Sequence, residues 1–234
     1  MSFLYLVVLL LSLVIYIAVC LLMQKFKNIN IANLVFFLVS FVCYITLVIY
    51  LYFHDGPKDW NFTNALPIAN VSPFMFFTSF VFFVLPKKMK KYHALLISLL
   101  SVGMILSPAI TMTHNFTISY RFIPSFLLDY NAHFAFSLWG VYLIQSNQVE
   151  LKNKDCLISG SLIMGVALTM LIINLIFDTS FFGLSLRGKH NIYNQVLVSN
   201  SLLSALIYFS GLVLVLLLGY LLQEMLLVVL KKRK

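Results

Sequence analysis

The sequence predicts an all-α membrane protein: a single bundle of seven transmembrane helices, N-terminus outside and C-terminus cytoplasmic. Three observations predict it. Of 234 residues, 62% are hydrophobic and 10% charged, with a mean hydropathy of +0.98. A soluble domain is about 45–50% apolar and about 25% charged. The apolar residues fall in seven runs, each near the roughly 20 residues that cross a bilayer as a helix. The basic residues cluster in alternate gaps between these runs. Such a composition excludes a cytosolic enzyme, a disordered tail and a disulfide-stapled secreted domain, because too little polar surface is left to face water.

The first run, Phe3 to Met23, has no basic residue before it and no small-residue cleavage pattern after it. It is longer than a signal-peptide core, so a retained helix is expected. The second run is Ile31 to Phe53, and a polar loop from His54 to Asn64 follows, with Gly56-Pro57 as a turn signal. The third run, Leu66 to Leu85, is bounded by Pro67 and Pro86. The block Lys87-Lys88-Met89-Lys90-Lys91 separates it from the fourth, Ala94 to Met112, which Pro108 is expected to kink. The fifth, Ser125 to Ile144, opens after Pro124, a favourable first-turn residue. The sixth is Leu157 to Phe177. The segment after it, Asp178 to Ser199, is too short to span again, and its Ser180-Phe181-Phe182-Gly183-Leu184 suits a re-entrant turn. The seventh run is Leu202 to Leu222, followed by a short apolar stretch and Lys231 to Lys234. No repeat or low-complexity linker divides residues 1–234, so one helical domain is expected, each helix satisfying its own backbone in lipid.

The net charge is +9. With seven spans, 12 of the 16 basic residues fall in one set of alternating segments: Lys25, Lys27, Lys87, Lys88, Lys90, Lys91, Lys152, Lys154 and the C-terminal four. Lys58, Arg121, Arg187 and Lys189 fall in the other. The bias sets orientation and places the C-terminus in the cytoplasm. Because the basic residues serve topology and are interrupted by apolar runs, nucleic acid is not an expected partner. The expected partners are membrane lipids, and the expected location is the cell membrane, multi-pass, as in a bacterial plasma membrane. Cys20, Cys43 and Cys156 lie within or at the end of apolar runs with no CxxC pairing, and are read as small buried hydrophobes.

In this orientation the polar residues favour the outer side. Asp129 and His133 are four apart and share a helix face, which Ser137 continues. Counted from Ser125, His133 lies ~12 Å into the helix, where an ionisable group is costly and points to function. A carboxylate one turn from an imidazole orients it and raises its basicity, the need of a general base or a proton relay. The alternative is an interhelical hydrogen bond. Asn174 and Asp178 repeat the spacing at the outer end of the sixth run, and Asn70 lies at the outer end of the third. Arg187 and Lys189, flanking Gly188, suit a phosphate or carboxylate; a solvated loop is the alternative. His54, His114, His133 and His190 lack tight metal-ligand spacing, so neither a metal nor a cofactor is expected. Asn61-Phe62-Thr63 and Asn115-Phe116-Thr117 are glycosylation sequons on predicted outer loops.

Three stretches carry a family resemblance. Leu66-Pro67-Ile68-Ala69-Asn70-Val71-Ser72, Asp129-Tyr130-Asn131-Ala132-His133-Phe134, and Asn174 through Gly183 with Arg187-Gly188-Lys189 resemble the third, fifth and sixth spans of the YwaF-like family of bacterial integral membrane proteins. That family is related to the eukaryotic transmembrane protein 164, a thiol-dependent phospholipid acyltransferase. The likeness runs in order over about residues 31–222, with few identities. It implies a seven-span fold and retains His133 and Asn174. Ala69 and Val71 stand where the family has His and Cys, so the thiol chemistry does not carry over.

Together these readings predict an outward-opening polar cavity between the third, fifth and sixth spans that binds or processes a lipid or other amphiphile. His133 would be the base, Asp129 its orienting partner, and Asn70, Asn174, Asp178, Arg187 and Lys189 the substrate contacts. The alternatives are a small-solute or proton-coupled transporter using the same pair as relay, and a non-catalytic accessory subunit.

Overall fold

The computed structural model describes residues 11, 14–16, 18–19, 22–26, 28–59, 71–114, 123–177, 179, 181–184 and 201–231. The described residues form seven α-helices of full range: α1 (Ile29–Asp59), α2 (Val71–Thr78), α3 (Val81–Val84), α4 (Lys87–His114), α5 (Ile123–Gln145), α6 (Asn153–Phe177) and α7 (Ser201–Lys231). Short 3-10 turns at Met23–Lys25 and Phe181–Gly183 complete the described elements, which include no strand. Residues 14–16 and 18–19, within the first run, are helical.

Three segments, Ile29–Tyr50, Asn153–Phe177 and Ala205–Val229, are long and apolar enough to cross a bilayer. Only 17% of the most apolar window in Ala205–Val229 is buried within the protein. Many of its side chains, Leu206, Leu214, Leu217 and Leu221 among them, are exposed. Apolar surface of this extent is a liability in water and matched in lipid, so the protein is membrane-embedded.

The interior belongs to α5. From Ala132 to Ile144 it is buried around its whole circumference apart from Phe134, as expected of a helix enclosed by others. It packs chiefly on α1 and α4, and α4 packs in turn on α6 and α7. The contacts fix relative direction. Gly140 near the end of α5 lies against Ile97 and Ser98 near the start of α4, so these helices are antiparallel. Tyr220 Oη donates to Asn153 Oδ1 at 3.0 Å, setting the end of α7 beside the start of α6. Lys91 Nζ donates to Asp155 Oδ1 at 3.0 Å, so α4 and α6 start at the same end, and this hydrogen bond to the carboxylate holds the Lys91 pKa above its ordinary value.

Several boundaries differ from the sequence expectation, for local reasons. The predicted loop at His54 is helical through Asp59, because extending an existing helix gains a bond for each residue fixed. The third run is not one helix: it breaks at Ser79 and Phe80 between α2 and α3. Thr78 Oγ1 donates to the Phe74 carbonyl at 2.7 Å and Ser79 Oγ to that of Met75. Hydroxyls bonded back one turn bend helices, and the chain crosses the joint with Phe82 N to Ser79 O and Phe83 N to Phe80 O bonds of the tighter i to i+3 kind. The lysine block is the first turn of α4 rather than a linker, and that helix runs unbroken through Pro108. At the other end of the chain, α7 absorbs the apolar stretch after Leu222 and reaches Lys231.

A polar knot joins α1 to the end of α5. Trp139 Nε1 donates to Asn33 Oδ1 at 3.0 Å, Asn33 Nδ2 donates to Gln148 Oε1 at 2.7 Å, and Gln148 Nε2 donates to Ser146 Oγ at 2.7 Å. Asn33 is 2% exposed and Trp139 fully buried. Removing one partner strands the others, at about 1–3 kcal/mol for each buried group left unpaired. Asn33→Leu is therefore expected to lower the melting temperature measured in detergent markedly, and Asn33→Asp, which keeps the acceptor for Trp139, less so.

Candidate functional site

The helical periodicity of α5 brings Asp129 and His133 together, one turn apart. His133 Nδ1 lies 2.8 Å from the Asp129 main-chain carbonyl oxygen and 3.2 Å from its carboxylate Oδ1. A carbonyl oxygen only accepts, so Nδ1 carries the hydrogen. In the neutral ring, Nε2 is then the basic nitrogen. It is buried and has no hydrogen-bond partner among the described residues. The His133 side chain is 5% exposed and that of Asp129 30%, so the carboxylate reaches the surface while the imidazole lies behind it.

The walls come from three directions. Phe76 of α2 meets the His133 ring edge-to-face at 5.0 Å between centroids. Tyr44 of α1 packs on Phe76 with the rings tilted and 4.8 Å between centroids, and lies within the electrostatic reach of Asp129. Tyr16, in the first run, shares a 3.2 Å hydrogen bond with Ser137, one turn beyond His133. Towards the end of α5, Phe136 and Trp139 are fully buried, with Phe82 packed at 5.2 Å on Trp139. This aromatic plug closes the space beyond the imidazole, and no acidic, basic or histidine side chain lies on α5 between His133 and Gln145.

Asn174, buried at 4% exposure, serves the turn that follows α6. Its Oδ1 accepts from Phe181 N and from Thr179 Oγ1, each at 2.8 Å, and its Nδ2 donates to the carbonyls of Phe181 and Leu184. All four bonding directions of the amide are thus spent on holding Phe181–Gly183, in which Phe182 has a positive φ of 57°. The turn drives the fully buried Phe182 against Phe74 of α2, 5.7 Å between centroids. In this way Asn174 braces α2, the helix that carries Phe76. Asn70, Asp178, Arg187 and Lys189 lie outside the described residues.

Tyr44 and Phe76 were missed in the sequence reading. Tyr44 had a signal: Asn33, Ser40 and Tyr44 form a stripe along one face of α1, and all three are buried toward α5, with Ser40 Oγ donating to the Ala132 carbonyl at 3.0 Å. Phe76 had none, being one of six phenylalanines between 74 and 83.

Comparison with known proteins finds no matching family model, no matching curated protein and no matching solved structure.

Proposed function

We propose that the chain is a seven-span membrane protein that binds or processes a lipid or similar amphiphile at the outer leaflet. His133 is its proton acceptor and Asp129 its orienting partner. One observation carries this reading: a buried imidazole is fixed through Nδ1 by Asp129 while Nε2 has no partner among the described residues. A histidine serving only to tie helices would spend both nitrogens on neighbours, since an unbonded buried polar atom costs about 1–3 kcal/mol. A nitrogen kept unpaired and pre-oriented is what proton transfer from a substrate hydroxyl requires. The half-exposed carboxylate favours access from the end of α5 nearest Ile123. The aromatic plug beyond His133 favours a one-sided site over a transport path. In this reading Arg187 and Lys189 hold an anionic head group, and Asn70 and Asp178 line the approach. The resemblance to the YwaF-like family supports a lipid substrate, without its thiol step.

The chemical test is lipid analysis of cells lacking the protein, complemented with wild type or with His133→Gln. Restoration by wild type alone supports the proposal; identical lipids in all strains reject it. Topology has its own test. The lysine-bearing starts of α4 and α6 share one end with the finish of α7, in keeping with a cytoplasmic face there. A reporter active only in the cytoplasm is expected to work fused after Lys234 and to be silent at Lys58 or Lys189. Activity at Lys189 overturns the seven-span arrangement.

A further inference from the structure

A groove of about 490 Å³ runs between α4, α6 and α7, away from His133. Its walls are apolar, with Leu99, Cys156, Gly160, Met164, Leu216 and Leu217 among them. Gly160 adds room to it: a Cβ there would come into contact with Leu216 Cδ1 at 3.4 Å. At one end the wall turns polar, where Tyr220 Oη donates to Asn153 Oδ1 at 3.0 Å. That end lies beside the lysine-rich starts of α4 and α6. Segments 87–91 and 150–155 hold six lysines against Glu150 and Asp155, and Glu224, one turn beyond Tyr220, adds a third acid.

Depth and charge select the occupant. From Asn153 to Met164 the groove follows α6 for eleven residues, or ~16 Å at 1.5 Å each. That is about half the roughly 30 Å hydrocarbon core of a bilayer, so it matches the tail of a lipid from a single leaflet. A partner helix crossing the membrane would need the full length of α6. The surplus of lysine at the mouth complements an anionic head group. Lys152 is engaged with Glu150 at 2.7 Å and Lys91 with Asp155, which leaves exposed Lys87, Lys88 and Lys154 to meet it.

We propose that this groove is a binding site for an anionic phospholipid, one acyl chain lying between α6 and α7 and the phosphate at the lysine-rich end. The site is independent of the His133 chemistry and does not depend on it.

The test uses the purified full-length chain in detergent, titrated with phosphatidylglycerol, with phosphatidylcholine and with glycerol phosphate, which has no chains. Melting temperature and native mass spectrometry are the readouts. Phosphatidylglycerol should raise the melting temperature by several degrees and remain bound; the other two should do neither. Ser161→Phe at an exposed position of the wall, and Gly160→Leu as a second variant, should fill the groove and abolish the shift. Lys154→Gln should weaken binding about fivefold, the loss of one lysine near an anionic surface. Equal effects of the two phospholipids, a shift from glycerol phosphate alone, an undiminished shift in Ser161→Phe, or a lipid-free dimer disrupted by that same change would each overturn the proposal.

Discussion

Gly219→Ala is expected to prevent assembly of α7 on α4. An added Cβ would overlap the Leu99 carbonyl oxygen and stand 2.7 Å from its carbon. Both are backbone atoms, so no rotamer change relieves the clash, and the helices must separate. Overpacking a core costs roughly 1–3 kcal/mol where side chains can yield; here they cannot, and the loss should lie at or beyond the top of that range. Close helix approach at small residues is how membrane helices associate without a hydrophobic drive between them. Separation would also pull the fully buried Gln223 Nε2 from Ser98 O and Ser101 Oγ, each 3.3 Å away. The control is Gly211→Ala on the same helix, where nothing lies within 4 Å of the added atom. It should keep or slightly raise the melting temperature, as alanine is better than glycine within a helix by roughly 0.5–1 kcal/mol. Fluorescence-detected size-exclusion and melting curves of the two variants decide it. An unchanged Gly219→Ala protein would mean that α4 and α7 are not in this register.

That contrast also shows where sequence reasoning stops. Apolar run length announces a helix, so the helical regions of α1, α5, α6 and α7 were legible, as was the meeting of Asp129 and His133, a consequence of periodicity within one helix. Contacts between helices were not. Nothing local distinguishes Gly219 from Gly211, since the difference lies in which helix each glycine faces. The break between α2 and α3 was half legible: Thr78 and Ser79 are adjacent hydroxyls in an apolar run, but whether they bond back to the preceding turn depends on what surrounds them. Asn174 shows the same limit. Its spacing to Asp178 suggested a shared polar face, while its amide is consumed by a turn whose path the sequence does not fix. The burial of Tyr44 beside Asp129 needs α1 to lie antiparallel on α5, and only the Asn33–Ser40–Tyr44 stripe hinted at that face.

His133→Gln is expected to leave the protein folded and its function lost. Glutamine keeps a side-chain amide able to donate to the Asp129 carbonyl, and it has no nitrogen that accepts a proton near neutral pH. If His133 acts through Nε2, function falls by the 10²–10⁴-fold typical of a missing general acid–base group, while the melting curve barely moves. If His133 serves only as glue, the balance reverses. Interhelical hydrogen bonds in a membrane average about 0.6 kcal/mol, so Gln would be silent in function and His133→Leu would show a modest drop in melting temperature. Nε2 sharpens the contrast: leucine removes a buried atom with no partner among the described residues, so its stability cost should be smaller still, and the edge-to-face contact with Phe76 is the main thing lost. Asp129→Asn isolates the orienting role. The main-chain carbonyl still accepts from Nδ1 at 2.8 Å, so the ring stays in place and the tautomer is kept. Only the carboxylate charge 3.2 Å away disappears, and with it the support for a protonated imidazole. Function should therefore fall less in Asp129→Asn than in His133→Gln. Wild-type lipid profiles from cells carrying either variant would reject proton chemistry at this pair and leave α5 as a purely structural helix.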